Sequence, residues 1–325
     1  MVMSQNKIVL SAGGTICALI VAGYFVPQWI LYTGALVLAK GLVVLGLCLL
    51  LRMNLVSFGQ GLYYCAGAYI CGLISQTGIS DAFTLLFLAA VGSALVGLVI
   101  GLFLSTYRGV FFAMFNLAVS MILYGVLLKS ISLGGSDGIG VAAPTYLGFA
   151  PETGLRLYVF FVFALVVAAI ACLCAYLYSR SEMGLASASV KDCEIRLEYL
   201  GLSVRYLVIF NFVVASTLAG IGGALVAMVS GHIIPELAYW TTSGEFVFIT
   251  VLSGPNGILS AFGATAIFET IRLVAGQYMP NSWQFLLGTF LLLSILFMPN
   301  GISAMFGRSR PRRPDEAPGN EITNV

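Results

Sequence analysis

The stretch AFTLLFLAAVGSALVGLVIGLFL, residues Ala82–Leu104, decides the fold class of this chain. It contains no charged residue. At a rise of 1.5 Å per residue, a helix of this length spans the roughly 30 Å apolar layer of a bilayer. The whole chain has the same character, because 60% of its residues are hydrophobic and 9% are charged, against roughly 25% charged in a soluble domain. The sequence therefore predicts an integral membrane protein.

Further apolar stretches are long enough to cross a membrane as helices. They are residues 8–25, 30–51, 109–128, 157–178, 206–229, 258–275 and 283–298. We expect the glycine-rich residues 55–74 to cross as well, whereas residues 246–252 are too short to cross alone. The sequence predicts an all-α polytopic helical bundle with about nine or ten crossings.

The lysines and arginines predict which side of the membrane each loop faces, since cytoplasmic loops carry an excess of both. With both termini in the cytoplasm, the basic residues that fall inside are Lys7, Arg52, Arg108, Arg180, Lys191, Arg196, Arg205, Arg308, Arg310, Arg312 and Arg313. Those left outside are Lys129, Arg156 and Arg272. The basic residues are scattered beside the spans and form no single soluble face, so we expect no nucleic-acid partner.

Two regions follow from this pattern. Residues 1–306 are predicted to form the transmembrane domain, and residues 307–325, which are polar and rich in proline, a disordered cytoplasmic tail with arginines near the lipid headgroups. The first apolar stretch follows Lys7 as in a signal peptide, but no clean A-x-A cleavage site comes after it. We therefore expect a retained anchor.

Residues 179–206, called here the hydrophilic loop, hold the densest group of charged residues in the chain. Ser189 and Asp192 have the spacing that caps a helix start, and Gly201 suits a helix end. A surface helix over residues 190–200 is the resulting prediction.

This predicted helix has two faces. The apolar residues that recur at helical spacing are Val190, Cys193, Leu197 and Leu200. The charged ones are Lys191, Asp192, Glu194, Arg196 and Glu198, with Asp192 and Arg196 at the favourable i,i+4 spacing. Two interpretations stay open: a helix that lies on the membrane or on the chain's own surface, and a docking helix for another protein.

The sequence lacks the motifs of an enzyme. No G-x-x-x-x-G-K-[ST] motif occurs, so any ATP must be hydrolysed on a partner. The single histidine, His232, has no cysteine or carboxylate at metal-ligand spacing, and the seven cysteines show no paired spacing. We expect no catalytic residue, no metal and no cofactor on this chain.

Lys40 stands near the middle of the apolar residues 30–51. A cationic side chain at the centre of a membrane helix costs about 2.5–3.5 kcal/mol on the insertion scale. We therefore expect Lys40 to face the helix bundle or a wet cavity, where it is a candidate for the translocation path. The alternative is a span that begins near residue 36, which would bring the lysine closer to the membrane surface.

Other polar residues interrupt the spans. Ser57, Gln60 and Asn116 are candidates for the translocation path, and the alternative for them is hydrogen bonding between helices. Glu269 and Arg272 lie three residues apart and are predicted to neutralise each other as a structural pair. Small residues at fourfold spacing predict close helix contacts, and they are Gly97, Gly101, Ala215, Ala219 and Gly223.

Two acidic residues are predicted to lie on the periplasmic side. GGSDG at residues 134–138 is typical of a tight turn, and its Asp137 offers a carboxylate to solvent or to a docked partner. Glu236, in PELAYW, is the second candidate for such docking, beside a tryptophan suited to the membrane interface.

Several of these motifs, in this order, resemble one family. The motifs are LVSFGQGLYYCAGAY at 55–69, GVFFAMFNLAVSMI at 109–122, GGSDG at 134–138, VKDCEIRLEYLG at 190–201, STLAGIGGAL at 216–225 and PELAYWTTSGE at 235–245. From residue 36 to residue 302, the chain resembles the permease subunits of bacterial ABC importers for branched-chain amino acids, the LIV type.

The resemblance implies a permease of the inner membrane that pairs with a second, homologous or identical, permease subunit, two cytosolic ABC ATPases and a periplasmic solute-binding protein. It also implies that the part of the hydrophilic loop over residues 183–201 carries the coupling helix that rests on the ATPase. The residues expected to take part are Gly184, Val190, Lys191, Asp192, Glu194, Arg196, Leu197, Leu200 and Gly201.

The solute and the transport class have alternatives. Within the family, urea, short amides or other small carboxylates compete with branched-chain amino acids as the solute. From a different class, an ATP-independent secondary transporter or channel would also be glycine-rich and helical. Such a carrier would bury several carboxylates for ion coupling, whereas Glu269 is the carboxylate that the pattern places deep in a span.

Overall fold

The computed structural model describes residues 20, 23–24, 26–152, 154–191, 194–254 and 257–278, together with 285, 288–290, 292 and 296. The α-helices of these residues are α1 (Gln28–Arg52), α2 (Gln60–Gln76), α3 (Ala82–Leu104), α4 (Gly109–Lys129), α5 (Arg156–Arg180), α6 (Glu182–Ser189), α7 (Glu194–Tyr199), α8 (Val204–Ser230), α9 (Trp240–Ser253) and α10 (Ile258–Tyr278). Two short strands, β1 (Ile139–Gly140) and β2 (His232–Ile233), pair antiparallel. Short 3-10 turns lie at Ile131–Leu133, Gly135–Asp137 and Pro235–Ala238.

Six helices of the described residues are long and apolar enough to cross a membrane: α1, α3, α4, α5, α8 and α10. Each matches a predicted stretch, and α3 has the predicted bounds Ala82–Leu104. The all-helical, multi-pass fold is therefore confirmed. Most of the predicted spans 8–25 and 283–298, and the tail 307–325, lie outside the described residues.

Two elements differ from the prediction. The expected crossing over residues 55–74 is not one continuous helix, because α2 begins at Gln60 and has 17 residues, a length of about 25 Å. A turn with positive φ at Asn54 ends α1, and residues 55–59 are not helical. The helix expected over residues 246–252 is longer than predicted, since α9 begins at Trp240 and has 14 residues.

Helix α8 lies at the centre of the bundle and packs against α1, α2 and α3. Small residues make these approaches possible. A Cβ at Gly223 would overlap the backbone of Tyr64, and one at Gly67 would overlap the backbone of Gly220. Gly97 on α3 is similarly closed off by Ser216 on α8. The predicted close contacts at Gly97 and Gly223 are thereby confirmed.

Asp81 joins the start of α3 to the loop before α5. Its carboxylate accepts hydrogen bonds from the Thr84 N–H (3.2 Å), the Thr84 hydroxyl (3.0 Å) and the Leu147 N–H (2.7 Å). Burial raises the pKa of Asp81, but the bonds from Leu147 and Thr84 outweigh it and lower the pKa below its ordinary value of 3.8. Asp81 is thus both a helix cap and an anchor for this loop.

Replacing Asp81 by alanine is expected to lower the free energy of unfolding by about 1 kcal/mol at neutral pH, the usual loss for a removed N-cap. Because the folded-state pKa is lowered, the ionised carboxylate stabilises above its unfolded pKa, and this contribution is lost as the pH falls through the folded pKa. Unfolding of wild type and Asp81→Ala in detergent, measured from pH 7 down to pH 3, checks this. A stability difference that stays constant over the acid range would contradict it.

Candidate functional site

The hydrophilic loop contains two short helices where one was predicted. Helix α6 begins after Ser181, whose Oγ accepts a hydrogen bond from the Gly184 N–H (3.2 Å). Ser189 is the last residue of α6, and its hydroxyl donates to the Leu185 carbonyl (3.1 Å), so the prediction that Ser189 caps a helix start is wrong. Mid-helix serine hydroxyls often bond back to the carbonyl four residues earlier. A turn at Val190 and Lys191 follows, and the predicted partner of this cap, Asp192, lies outside the described residues.

The second helix of the loop, α7, ends as predicted. Gly201 follows it with φ of 81°, a conformation that favours glycine. The Gly201 and Leu202 N–H groups donate to the carbonyls of Glu198 and Leu197 and so close the last turn of α7. The predicted stop at Gly201 is confirmed.

A cluster of three polar side chains fixes α6 to the membrane helices. The Tyr178 hydroxyl on α5 lies 3.0 Å from both Ser187 Oγ and Asn211 Oδ1, and the Asn211 amide donates to Ser187 Oγ (2.9 Å). Gly184 lies so close to the Tyr178 carbonyl that no Cβ fits there. Close packing therefore explains the glycine at position 184. The polar cluster and this close contact together join α5, α6 and α8. Sequence spacing gave no signal for Tyr178 and Asn211.

The apolar side chains of the loop separate into an inward and an outward group. Val190 and Leu197 are buried against the chain's own helices. In contrast Ile195, Tyr199 and Leu200 are exposed, at 65%, 88% and 72%. The single apolar stripe predicted for residues 190–200 is therefore wrong, since Leu197 and Leu200 face different surroundings. The outward group leaves an apolar surface on α7 to which another protein can bind.

The charged residues of the loop lie at its surface. Lys191, Arg196 and Glu198 are exposed. Glu194 is half-buried, because its carboxylate pairs with the Arg108 guanidinium at 2.8 Å. Arg108 belongs to the corner between α3 and α4, so the structure brings a distant segment against the loop.

A network of four charged side chains lies in the middle of the bundle. Lys40 Nζ contacts Glu269 Oε1 at 2.5 Å and Glu245 Oε1 at 2.9 Å. The Arg272 guanidinium contacts Glu245 Oε1 at 2.9 Å and Glu269 Oε1 at 3.9 Å. These four residues, called here the charged network, connect α1, α9 and α10 and have no net charge when all are ionised. Pairing of this kind is what allows charges within a membrane.

The charged network shows where the Lys40 side chain lies. The lysine is buried at the middle of α1, and this helix begins at Gln28 and not near residue 36. It faces the bundle, as predicted. The predicted Glu269–Arg272 pair is present, but Lys40 is the closer partner of Glu269. Glu245 was missed because the predicted short helix began one residue after it.

The other path candidates form a buried amide cluster. Asn116 Nδ2 on α4 donates to Ser57 Oγ, and the Tyr63 hydroxyl donates to Asn116 Oδ1 (3.3 Å). Gln60 Nε2 donates to the Ala215 carbonyl of α8 (3.0 Å). Ser57, Gln60 and Asn116 are fully buried. The contacts are those of interhelical hydrogen bonding around the non-helical residues 55–59, and a role in solute contact stays a prediction.

The cluster lies where α2 meets the start of α9. The Gly61 N–H donates to Ser243 Oγ (3.0 Å), and a Cβ at Gly61 would overlap the Leu237 carbonyl. Ser120 donates to the Ala238 carbonyl (2.7 Å). Two interrupted helices thus meet inside the bundle, where their freed backbone groups find protein partners.

The strand pair brings the two docking candidates to one end of the molecule. Asp137 precedes β1, and Glu236 follows β2. Both are exposed. The His232 ring lies with Nε2 2.8 Å from the Asp137 carbonyl, which holds the turn at 135–137 against β2. Within the described part of the chain, no group of three His, Cys, Asp or Glu side chains is placed to hold a metal ion.

The family described as "Branched-chain amino acid transport system / permease component" matches residues 29–296. The chain belongs to this family. It is also 26% identical over 260 residues to the high-affinity branched-chain amino acid transport system permease protein LivM of Escherichia coli strain K12. The LivM protein of Salmonella typhimurium strain LT2 gives the same identity.

These two alignments cover 73% of this chain and 60% of each LivM protein, so the chain spans about three fifths of the length of the curated relatives it matches. No solved structure gives a significant match. This member of the branched-chain permease family is a multi-pass membrane protein, and Ile195, Tyr199 and Leu200 give its hydrophilic loop an exposed apolar surface.

Proposed function

We propose that the chain is the transmembrane permease subunit of an ATP-driven ABC importer that takes up branched-chain amino acids or similar small polar solutes. The observation that carries the proposal is the exposed apolar surface of α7 on a loop that the Tyr178–Ser187–Asn211 cluster fixes to the membrane helices. Membership of the branched-chain permease family supports it.

In this importer a pair of cytosolic ABC ATPases hydrolyses the ATP that drives transport, since the chain itself has no P-loop motif. ATP is bound on these partners, and the permease binds no cofactor of its own. In this proposal the ATPases dock on α6 and α7. The chain lies in the bacterial inner membrane, with the hydrophilic loop and both termini in the cytoplasm. The docking energy must differ between the open and closed ATPase states for ATP to move the permease.

The remaining partners are a second permease subunit, homologous or identical, and a periplasmic solute-binding protein. Asp137 and Glu236 are exposed at the same end of the molecule, opposite to α7 along α4, and support docking of the binding protein there. Urea, short amides and small carboxylates remain the competing solutes within the family.

An ATP-independent carrier or channel is the competing class. Among the described residues, Glu269 is buried and Glu245 half-buried in the charged network, where the sequence pattern indicated Glu269 alone. Each carboxylate is paired with Lys40 or Arg272, and the two cations balance the two carboxylates. The charged network therefore offers no uncompensated carboxylate to bind a transported cation. This arrangement favours the importer over ion coupling.

Exchanging Tyr199 and Leu200 together for aspartate is expected to lower co-purification of the ATPases with the permease at least tenfold. Both side chains are exposed, so two carboxylates there leave the fold intact but disrupt an apolar contact, and an interface tyrosine is a common binding hot spot. Leu197 is unsuitable for this test, because it is buried and an aspartate there would damage the permease itself.

The measurement is affinity co-purification from cells that express the permease, its second subunit and both ATPases. The matched control exchanges Ile131 and Ser132 together for aspartate, which puts the same two charges on exposed side chains beyond the other end of α4. Unchanged ATPase recovery with the Tyr199 and Leu200 variant would remove α7 as the docking site.

A further inference from the structure

The corner between α3 and α4, residues 105–108, contacts the hydrophilic loop at two places, the start of α7 and the start of α8. Arg108 Nε donates to Glu194 Oε1 (2.8 Å) at the start of α7. Arg205 Nε, at the start of α8, donates to Ser105 Oγ (3.1 Å). Ser105 itself is buried, with its hydroxyl donating to the Leu102 carbonyl (2.9 Å). We call these four residues the corner clamp: Arg108, Glu194, Arg205 and Ser105.

Arg108 is held in position by its own corner. Its Nη1 donates to the carbonyls of Ser105 (2.6 Å) and Tyr107 (3.0 Å), while its Nε carries the bond to Glu194. The guanidinium is planar and rigid, so two bonds to the corner fix the direction of the third. A displacement of Glu194 therefore acts on the corner through a side chain that is already oriented.

The corner continues directly into α4. Gly109 has φ of 59°, so the chain changes direction between Arg108 and the helix, at a residue that tolerates this backbone. Asn116 comes eight residues after Arg108, which is about 12 Å along the helix at a rise of 1.5 Å per residue. Its amide contacts Ser57 and Tyr63 beside the non-helical residues 55–59. A contiguous series of contacts thus runs from α7 to the amide cluster.

We propose that Arg108 is a positioning residue that transmits movement of the hydrophilic loop to α4 and, through Asn116, to the interrupted start of α2. This inference rests on the proposed function, since the force on α7 comes from the ATPases. Glu194 is its partner in transmission and is held on the permease side of α7. Both side chains are about one third exposed, and such ion pairs contribute little to stability, so the clamp acts on coupling rather than on folding.

The test uses the complete complex of both permease subunits, both ATPases and the binding protein in proteoliposomes, with radiolabelled leucine as the probe. Arg108→Ala is expected to keep ATPase activity within twofold of wild type and to lower leucine uptake about tenfold. Glu194→Ala is expected to lower uptake to the same extent, whereas Glu194→Gln, which keeps a side-chain oxygen that can accept from Arg108 Nε, is expected to keep uptake at one third of wild type or more. Arg156→Ala, which removes an exposed arginine at the far end of α5, is the matched control and is expected to leave both rates unchanged.

The outcomes separate the clamp from the proposed function. Normal uptake by Arg108→Ala, or a Glu194→Gln variant that transports no better than Glu194→Ala, would overturn the clamp while the wild-type complex still transports. Loss of the ATPases from the Arg108→Ala complex would also overturn it, because Arg108 would then serve docking. If Arg108→Ala fails to fold, the comparison of Glu194→Gln with Glu194→Ala decides by the same threshold. A wild-type complex without ATP-dependent uptake would instead contradict the proposed function.

Discussion

Replacing Lys40 by methionine is expected to lower the free energy of unfolding by about 3–5 kcal/mol, the usual result of breaking a buried ion pair by removing one partner. The substitution leaves Glu245 and Glu269 with Arg272 as the cation of the charged network, and Arg272 lies 3.9 Å from Glu269. One carboxylate charge is then uncompensated inside the bundle. Unfolding titrations in mixed detergent micelles measure the effect.

A second variant shows that charge balance is the cause. Adding Glu269→Gln to Lys40→Met leaves Glu245 paired with Arg272, and we expect at least half of the lost stability to return. Lys129→Met is the control, because Lys129 is exposed in the last turn of α4 and its loss is expected to cost less than about 1 kcal/mol. A Lys40→Met variant as stable as wild type would contradict the structural role of the network.

The double variant also decides whether Lys40 belongs to the translocation path. If it folds and supports wild-type leucine uptake in the complete complex, Lys40 serves the structure and the predicted path role is removed. If it folds and uptake is lost, the Lys40–Glu269 pair is needed for transport, and uptake by Glu269→Gln alone shows whether the carboxylate is the group required. The two readouts are independent, since one is made on the purified permease and the other on the assembled importer.

Gly223→Ala is expected to remove most of the folded permease, with a loss of more than about 3 kcal/mol, at the upper end of overpacking costs. A Cβ at Gly223 would overlap the Tyr64 carbonyl and lie against the Ala68 nitrogen, so the neighbour that must move is the backbone of α2. Because α8 also packs against α1 and α3, the two helices cannot separate without disturbing the centre of the bundle. The yield of monodisperse protein and its unfolding titration are the measurements.

The matched control for this prediction is the same substitution at Gly125. Gly125 lies within α4, and a Cβ there would meet no atom within 4 Å. Alanine is the better helix former, so Gly125→Ala is expected to leave stability unchanged or raise it by up to about 1 kcal/mol. Equal behaviour of the two variants would show that the α2–α8 contact is looser than described.

The long helices could be predicted from the sequence because length and hydropathy decide them locally. Helix α3 matches to the residue, since Asp81 supplies a cap and Leu104 is followed by polar residues. The interrupted helices were harder. Residues 55–59 are mostly apolar, and the break depends on the Asn54 turn and on two long-range hydrogen bonds. Distant Asn116 donates to Ser57, and Gln60, the first residue of α2, donates to the Ala215 carbonyl.

The candidate site was predictable only in part, for a related reason. The loop and its Gly201 stop follow from local pattern, whereas the partners of Lys40 are 205 and 229 residues away in sequence. The pairing of Arg108 with Glu194 likewise depends on the tertiary fold. Ser189 satisfied a capping pattern, yet Ser181 begins α6 instead, because several serines in this loop have suitable spacing and local pattern does not rank them.

Leucine accumulation in proteoliposomes tests whether ATPases drive this permease through its hydrophilic loop. We expect accumulation only when the second permease subunit, both ATPases, the loaded binding protein and ATP are present together, and none with the purified chain alone. Leucine movement by the chain alone, without nucleotide, would show that transport does not need the ATPases.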